Sequence, residues 1–179
     1  IPLMADGMTV SSLLFYRFVI AAGVMALFVL IRRINLRVTC RQFFILLGLA
    51  ALYVASATGL VHSYMYIPSG VSTTIHFIYP VIVTCGMIFF FHERRSKTIF
   101  TAMGMAIAGV ALLCWTPGGT LDSRGLAWAG STLFWYASYL IIVNRSSVSS
   151  LASLTMMFYI FVLGAALFAY QKYLKEQKG

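Results

Sequence analysis

The sequence predicts an all-α fold, a polytopic bundle of transmembrane helices, and three observations predict it. Hydrophobic residues make up 61% of the 179-residue chain and charged residues only 9%. A soluble domain is about 25% charged and roughly half apolar, so this mixture leaves a water-facing surface uncovered, whereas lipid tails can face Leu and Phe directly. The apolar residues also gather in six runs, of about the 20 residues that a spanning helix needs. Finally, much of the basic charge sits in short connections between those runs.

Taken in order, the runs are Leu13–Ile31, Phe43–Ile67, Val71–Phe91, Thr98–Trp115, Gly125–Val143 and Leu151–Tyr170. The second is long and is expected to tilt or to end before His62. The third carries Pro80 and several polar residues, and the fourth is punctuated by Gly104 and Gly109. The connections are short. Arg32, Arg33 and Arg37 lead to Arg41; Pro68-Ser69-Gly70 reads as a tight turn; Thr116-Pro117-Gly118-Gly119 is turn-rich; and Asn144-Arg145-Ser146-Ser147 closes the fifth run. His92-Glu93-Arg94-Arg95-Ser96-Lys97 reads as a solvated ion-pair cluster at a helix end. None of these connections has room for a soluble catalytic domain.

Basic residues orient such a bundle, because Lys and Arg are retained on the cytoplasmic side. With the 32–41 connection inside, Arg32, Arg33, Arg37, Arg41, Arg94, Arg95, Lys97 and Arg145 are inside, eight of the thirteen basic residues. Arg17 and Arg124 fall outside, as do Lys172, Lys175 and Lys178 at the end of the chain, which oppose the rule. The net charge of +9 therefore reads as an orientation signal and not as a nucleic-acid surface, since no basic patch lies on a soluble element. Cys40, Cys85 and Cys114 have no motif spacing, and the last two sit within apolar runs, so they suit packing better than a disulfide or a metal. Asn144-Arg145-Ser146 fits a glycosylation acceptor, but on the side assigned to the cytoplasm it is discounted. No His-Glu-x-x-His, Gly-x-Ser-x-Gly or paired intramembrane carboxylates are present, which argues against an enzyme, a metal site or a cofactor.

An internal repeat is visible. Phe15–Leu27 and Phe158–Tyr170 align without gaps with six of thirteen positions identical: Phe15, Tyr16, Phe18, Val19, Ala22 and Ala26 against Phe158, Tyr159, Phe161, Val162, Ala165 and Ala169. Five spans separate the two starts, and an odd number inverts the second copy across the bilayer. Inverted repeats build many secondary transporters, with the solute site at the repeat interface.

The order of motifs carries a resemblance. Phe15-Tyr16-Arg17-Phe18 opens a helix; Tyr79-Pro80 lies within a later span that ends at His92-Glu93-Arg94-Arg95-Ser96; a helix from Gly104 through Gly109-Val110-Ala111-Leu112-Leu113 follows; then Phe134-Trp135-Tyr136-Ala137 leads to Arg145. Together these resemble the EamA branch of the drug/metabolite transporter superfamily over nearly the whole chain. The resemblance implies ten helices in two inverted five-helix repeats, with both ends cytoplasmic. Residues 1–116 would be a first repeat lacking its first helix, and 117–179 the first two helices of the second, so that the chain reads as a fragment. It implies a secondary transporter, read as an exporter of small metabolites or drugs by alternating access, in a bacterial cytoplasmic membrane. Its partners would be an unidentified small molecule and the lipid bilayer. In small relatives a first-helix carboxylate couples protons to export, but the counterpart here, Gly125–Val143, holds no Asp or Glu. The other class the residues allow is an integral membrane scaffold or assembly subunit that moves nothing.

Polar groups inside a membrane are costly and mark candidate pathways. Ser72, His76 and Tyr79 are spaced i, i+4, i+7 and share one helix face. Pro80 has no N–H, which frees the carbonyl near position 76. These four are pathway candidates, the alternative being a packed kink with His76 bonded to a neighbouring helix. Trp135 joins them through an aromatic-polar stripe, Trp128, Ser131, Trp135 and Ser138 or Tyr139, which packing would explain equally well. Arg17 lies about one turn into its run; it suits an interfacial anchor or, as the sharper alternative, an anionic-solute contact. His62, in a stripe with Thr58 and Tyr66, reads as an interfacial histidine, and Ala51, Ala55 and Gly59 form a row of small residues for close helix approach.

Overall fold

The structure, a computed structural model, describes residues 10–92, 97–114 and 122–177. Every regular element among them is helical: α1 (Val10–Arg32), α2 (Cys40–Ser63), α3 (Ser69–His76), α4 (Tyr79–Phe91), α5 (Lys97–Cys114), α6 (Ser123–Arg145), a 3-10 turn at Ser147–Ser150, and α7 (Ser153–Glu176). Five segments are long and apolar enough to cross a membrane: α1, α2, the α3–α4 stretch Ser69–Phe91, α6, and Ser153–Gln171 of α7. The fourth expected span appears as a shorter apolar helix, Lys97–Leu112. The Glu93–Ser96 part of the charged cluster, Trp115 and the 116–119 turn lie outside the described residues.

Two expected boundaries move. α2 runs past His62 to Ser63 instead of stopping before it, and the turn comes at 64–67 rather than at Pro68-Ser69-Gly70. Met65 N–H donates to the His62 carbonyl at 3.1 Å, and Tyr66 and Ile67 N–H both donate to the Ser63 carbonyl at 3.0 Å. Pro68, at φ −52° and ψ 136°, then becomes the N-cap residue of α3. A proline suits a helix start because its fixed φ is preset and its missing N–H would have had no helical partner there.

The chain divides into two compact units, Ile1–Thr58 with Ile142–Gly179, and Gly59–Ile141. In the first, α1 and α7 pack along each other. Phe18, in the first half of α1, meets Phe161 at 5.8 Å and Phe168 at 5.2 Å between ring centroids, both edge to face. Beyond the other end of α1, the Asn35 carbonyl accepts from Thr155 Oγ1 at 3.3 Å and the Leu36 carbonyl from Tyr159 at 2.9 Å. As one number rises the other falls, so the two helices run antiparallel. Lipid tails give apolar helices no hydrophobic reason to pair; close approach and ring geometry supply one, with edge-to-face pairs contributing about 0.5–1.5 kcal/mol each. Gly164 permits that approach, since a Cβ there would run into the Phe18 ring. At the same end as Asn35, Gln42 Nε2 donates to the Ser147 carbonyl at 3.1 Å. The 32–42 and 144–150 connections, both assigned to the cytoplasm, therefore share one end of this unit.

In the second unit, α6 receives two neighbours. The end of α2 and the turn after it lie antiparallel to α6: Gly59 faces Thr132, His62 stacks on Trp128 with centroids 5.0 Å apart, and Tyr66 and Ile67 crowd Gly125. A Cβ on Gly59 would sit 3.0 Å from Thr132 Cγ2 and 3.3 Å from Ser131 Oγ, so the close approach that the small-residue row predicted occurs at this glycine. The α3–α4 stretch lies parallel to α6: His76 meets Thr132, Tyr79 meets Tyr136, and Gly86 meets Ile141. Parallel neighbours in consecutive order require the chain between Phe91 and Ser123 to return along the full length of the span. α5 is the helix in that interval; its 18 residues measure about 27 Å, close to the roughly 30 Å of a hydrocarbon core, and it packs on α3.

Candidate functional site

The span Ser69–Phe91 is broken. α3 ends at His76, α4 begins at Tyr79, and Phe77 and Ile78 form a tight turn between them. Phe77 N–H donates to the carbonyls of Thr73 and Thr74 at 3.1 and 3.2 Å, Ile78 N–H to Ile75 at 3.0 Å, and Val81 N–H to Ile78 at 2.9 Å. Pro80 is the cause. In a continuous helix its nitrogen would serve the His76 carbonyl, and it carries no proton. Val81, which would serve Phe77, has turned to Ile78. Two successive carbonyls inside the span have thus lost their helical donors. Within a bilayer such groups cost several kcal/mol each unless protein or a water-filled cavity meets them.

Rings gather beside the break. His76 Nδ1 lies 2.8 Å from Thr132 Oγ1. The imidazole is 5.7 Å from the Tyr79 ring and 5.1 Å from Tyr136; Tyr79 meets Tyr136 edge to face at 4.7 Å; and Tyr136 stacks on Tyr139 at 5.6 Å. Thr132 is fully buried, Tyr139 is 7% exposed, and His76, Tyr79 and Tyr136 are half-buried. The arrangement sets an imidazole and phenols beside a break whose backbone oxygens have lost their helical donors, within a membrane span.

The residues singled out from sequence separate in space. His76 and Tyr79 come together at the break, and Pro80, exposed, creates it. Ser72 shares their face but works elsewhere: fully buried, it pairs with Ser63 across the α2–α3 turn, where Tyr64 also bonds Thr73 at 3.1 Å. Trp135 is 38% exposed, and its ring meets its own neighbour Phe134 edge to face at 5.5 Å. Arg17 is exposed on α1, in the other unit. His62, read as an interfacial residue, is held against Trp128. The sequence reading passed over Thr132 and Tyr136. Their signal was present: Thr132, Tyr136 and Tyr139 repeat the i, i+4, i+7 spacing of Ser72, His76 and Tyr79. The stripe chosen instead, through Trp128, Ser131 and Trp135, lies one residue away, a rotation of about 100° around the helix.

Among the described residues no three His, Cys, Asp or Glu side chains are placed to hold a metal ion. Cys40 and Cys85 are free thiols. No curated protein and no solved structure matches the chain. The family model of the EamA-like transporter family does match, over residues 2–115, more than half of the sequence. With its membrane-spanning helices and this match together, the chain belongs to the EamA-like transporter family, within the drug/metabolite transporter superfamily.

Proposed function

We propose that the protein is a secondary transporter of small metabolites or drugs that works by alternating access, with the break in Ser69–Phe91 on the solute pathway. The observation that carries this is the pair of carbonyls freed by Pro80 beside the His76–Tyr79–Tyr136 cluster. Broken helices of this kind are tolerated where they line a cavity and are a recurring site of binding in secondary carriers. A non-transporting scaffold has no use for an interrupted backbone and an imidazole at mid-span, where an uninterrupted apolar helix is more stable.

The antiparallel α1–α7 pair supports the repeat organisation, a first repeat over 1–116 followed by the opening of a second. Phe18 and Phe161 occupy equivalent positions in the two copies of the internal repeat and touch each other. Equivalent residues meet where a two-fold axis crosses the pair, and antiparallel copies are what an axis in the membrane plane generates. The orientation with 32–42 and 144–150 inside, in a bacterial cytoplasmic membrane and with export as the direction, completes the proposal.

The test is reconstitution of the complete gene product in liposomes with a panel of labelled metabolites. Accumulation or exchange above empty liposomes is expected for at least one solute class. Flux no greater than in empty liposomes across the panel, from protein that retains its thermal transition, would favour the scaffold.

A further inference from the structure

The contacts around Thr132 determine which nitrogen of His76 carries the proton. Thr132 Oγ1 lies 2.7 Å from the Ala129 carbonyl and 2.8 Å from His76 Nδ1. A hydroxyl has one proton and two lone pairs, and a carbonyl oxygen can only accept. If the proton went to His76, Oγ1 and the Ala129 oxygen would face each other at 2.7 Å as two acceptors, in a place with no exposure to water. Such a pairing costs more than a hydrogen bond returns. If the proton goes to Ala129, the short contact is a hydrogen bond, and Oγ1 accepts from Nδ1–H. Both contacts are satisfied only in the second case, because the imidazole can exchange its tautomer and the carbonyl cannot.

Neutral His76 then presents Nε2 as a lone-pair acceptor. Two further acceptors follow in the chain, the His76 and Phe77 carbonyls, stripped of their helical donors at the break, and the Tyr79 and Tyr136 hydroxyls can accept as well as donate. The two carbonyls stand at the C-terminal end of α3, where a helix gathers partial negative charge. The faces of Tyr79 and Tyr136 close by are electron-rich. We infer that Thr132 is a positioning residue that holds His76 in the Nδ1–H form, and that Nε2, so left as an acceptor, binds a solute bearing N–H donors, a primary ammonium above all. This rests on the pathway proposed above and names the chemistry of what passes along it. It also separates hydrogen bonding from attraction to the rings. A quaternary ammonium offers the rings a cation but offers Nε2 no proton.

Nitrogen-15 NMR of histidine-labelled protein in lipid bilayers tests both parts, without transport as the readout. The His76 resonances are assigned by their loss in His76→Gln, at a pH where the imidazole is neutral. The expected spectrum has a protonated, pyrrole-type Nδ1 and a pyridine-type Nε2. Thr132→Ser should keep it, and Thr132→Val should move the proton toward Nε2. Butylammonium should shift the Nε2 resonance, whereas tetramethylammonium and butyrate should leave it in place. A protonated Nε2 in the unaltered protein would overturn the positioning role whatever the variants do. An Nε2 that ignores butylammonium, or that responds equally to tetramethylammonium or butyrate, would overturn the solute class. Transport in liposomes alongside either failure would leave the pathway standing, and the expected spectrum without any transport would remove the pathway instead.

Discussion

The two units solve the same problem, packing helices in lipid, in opposite ways. Where α1 meets α7, the contacts within the span are phenylalanine edges against phenylalanine faces, made close by Gly164, and the hydrogen bonds from Thr155 and Tyr159 to the Asn35 and Leu36 carbonyls fall beyond the end of α1. Where α3–α4 meets α6, the span itself holds an imidazole, a threonine hydroxyl, three phenol rings and two carbonyls without helical donors. The first interface adds up from packing alone. The second gives away stability that an apolar interface would keep, a cost that the proposed solute pathway accounts for. Substitutions should therefore behave differently on the two sides. In the first unit, stability and activity should fall together; in the second they should come apart.

The largest effect is expected from Gly164→Leu. Its side chain has nowhere to go but into Phe18 and Val54, and overpacking costs about 1–3 kcal/mol or more. Membrane yield and thermal stability should both collapse, and transport with them. A stable Gly164→Leu protein would mean that the α1–α7 pair is not packed as described.

Pro80→Ala should act in the opposite sense. The new N–H can serve the His76 carbonyl, a hydrogen bond contributing about 1 kcal/mol. Thermal stability should hold or rise while transport drops about tenfold, as the break closes and its acceptors are consumed, one decade being about 1.4 kcal/mol. A variant that loses stability and keeps its flux would show that the break is only a kink.

A smaller contrast compares neighbours on α6. Tyr136→Leu removes a ring that touches His76, Tyr79 and Tyr139 and should reduce flux several-fold, on the order of 1 kcal/mol for an aromatic contact. Trp135→Leu, on an exposed position, should change little. The reverse ranking, measured as initial rates in liposomes, would restore the stripe through Trp135 as the pathway face.

Substitutions that probe only orientation should have the least effect on flux. Cysteines placed at Asn35 and Ser147, in a background without Cys40, Cys85 and Cys114, should both be protected from an impermeant reagent in intact cells. Labelling of one but not the other would contradict the shared end that Gln42 and Ser147 define.

Much of this was legible in the residues, for physical reasons that differ by region. Span positions follow from apolar run length, so α1 and α6 lie within a few residues of where composition puts them. Helix ends depend on hydrogen bonds that composition does not encode. The Ser63 carbonyl, accepting from both Tyr66 and Ile67, stopped α2 four residues before the apolar run ended. Pro80 announced a defect in its span, and the missing N–H correctly pointed at position 76, but the turn at Phe77–Ile78 is a cooperative response of several backbone bonds. Which faces meet was the least readable. Ser72, His76 and Tyr79 share a face by spacing, yet the α2–α3 turn gives Ser72 to Ser63. On α6 a one-residue choice separated Trp135 from Tyr136, because both stripes are aromatic and only packing against Gly59 and Gly86 selects between them.

The most direct test of a solute pathway at the break compares the two histidines of the second unit, His76→Ala and His62→Ala, in the complete protein. Initial transport rate and thermal midpoint are measured on the same reconstituted samples. His76→Ala should lose about tenfold or more in rate with a midpoint within about 4 °C of the unaltered protein, the shift expected from about 1 kcal/mol. His62→Ala, which gives up a stacking contact with Trp128, should keep most of its rate. Transport by His76→Ala at the unaltered rate, or a loss that tracks a collapse in midpoint, would contradict a pathway at this helix.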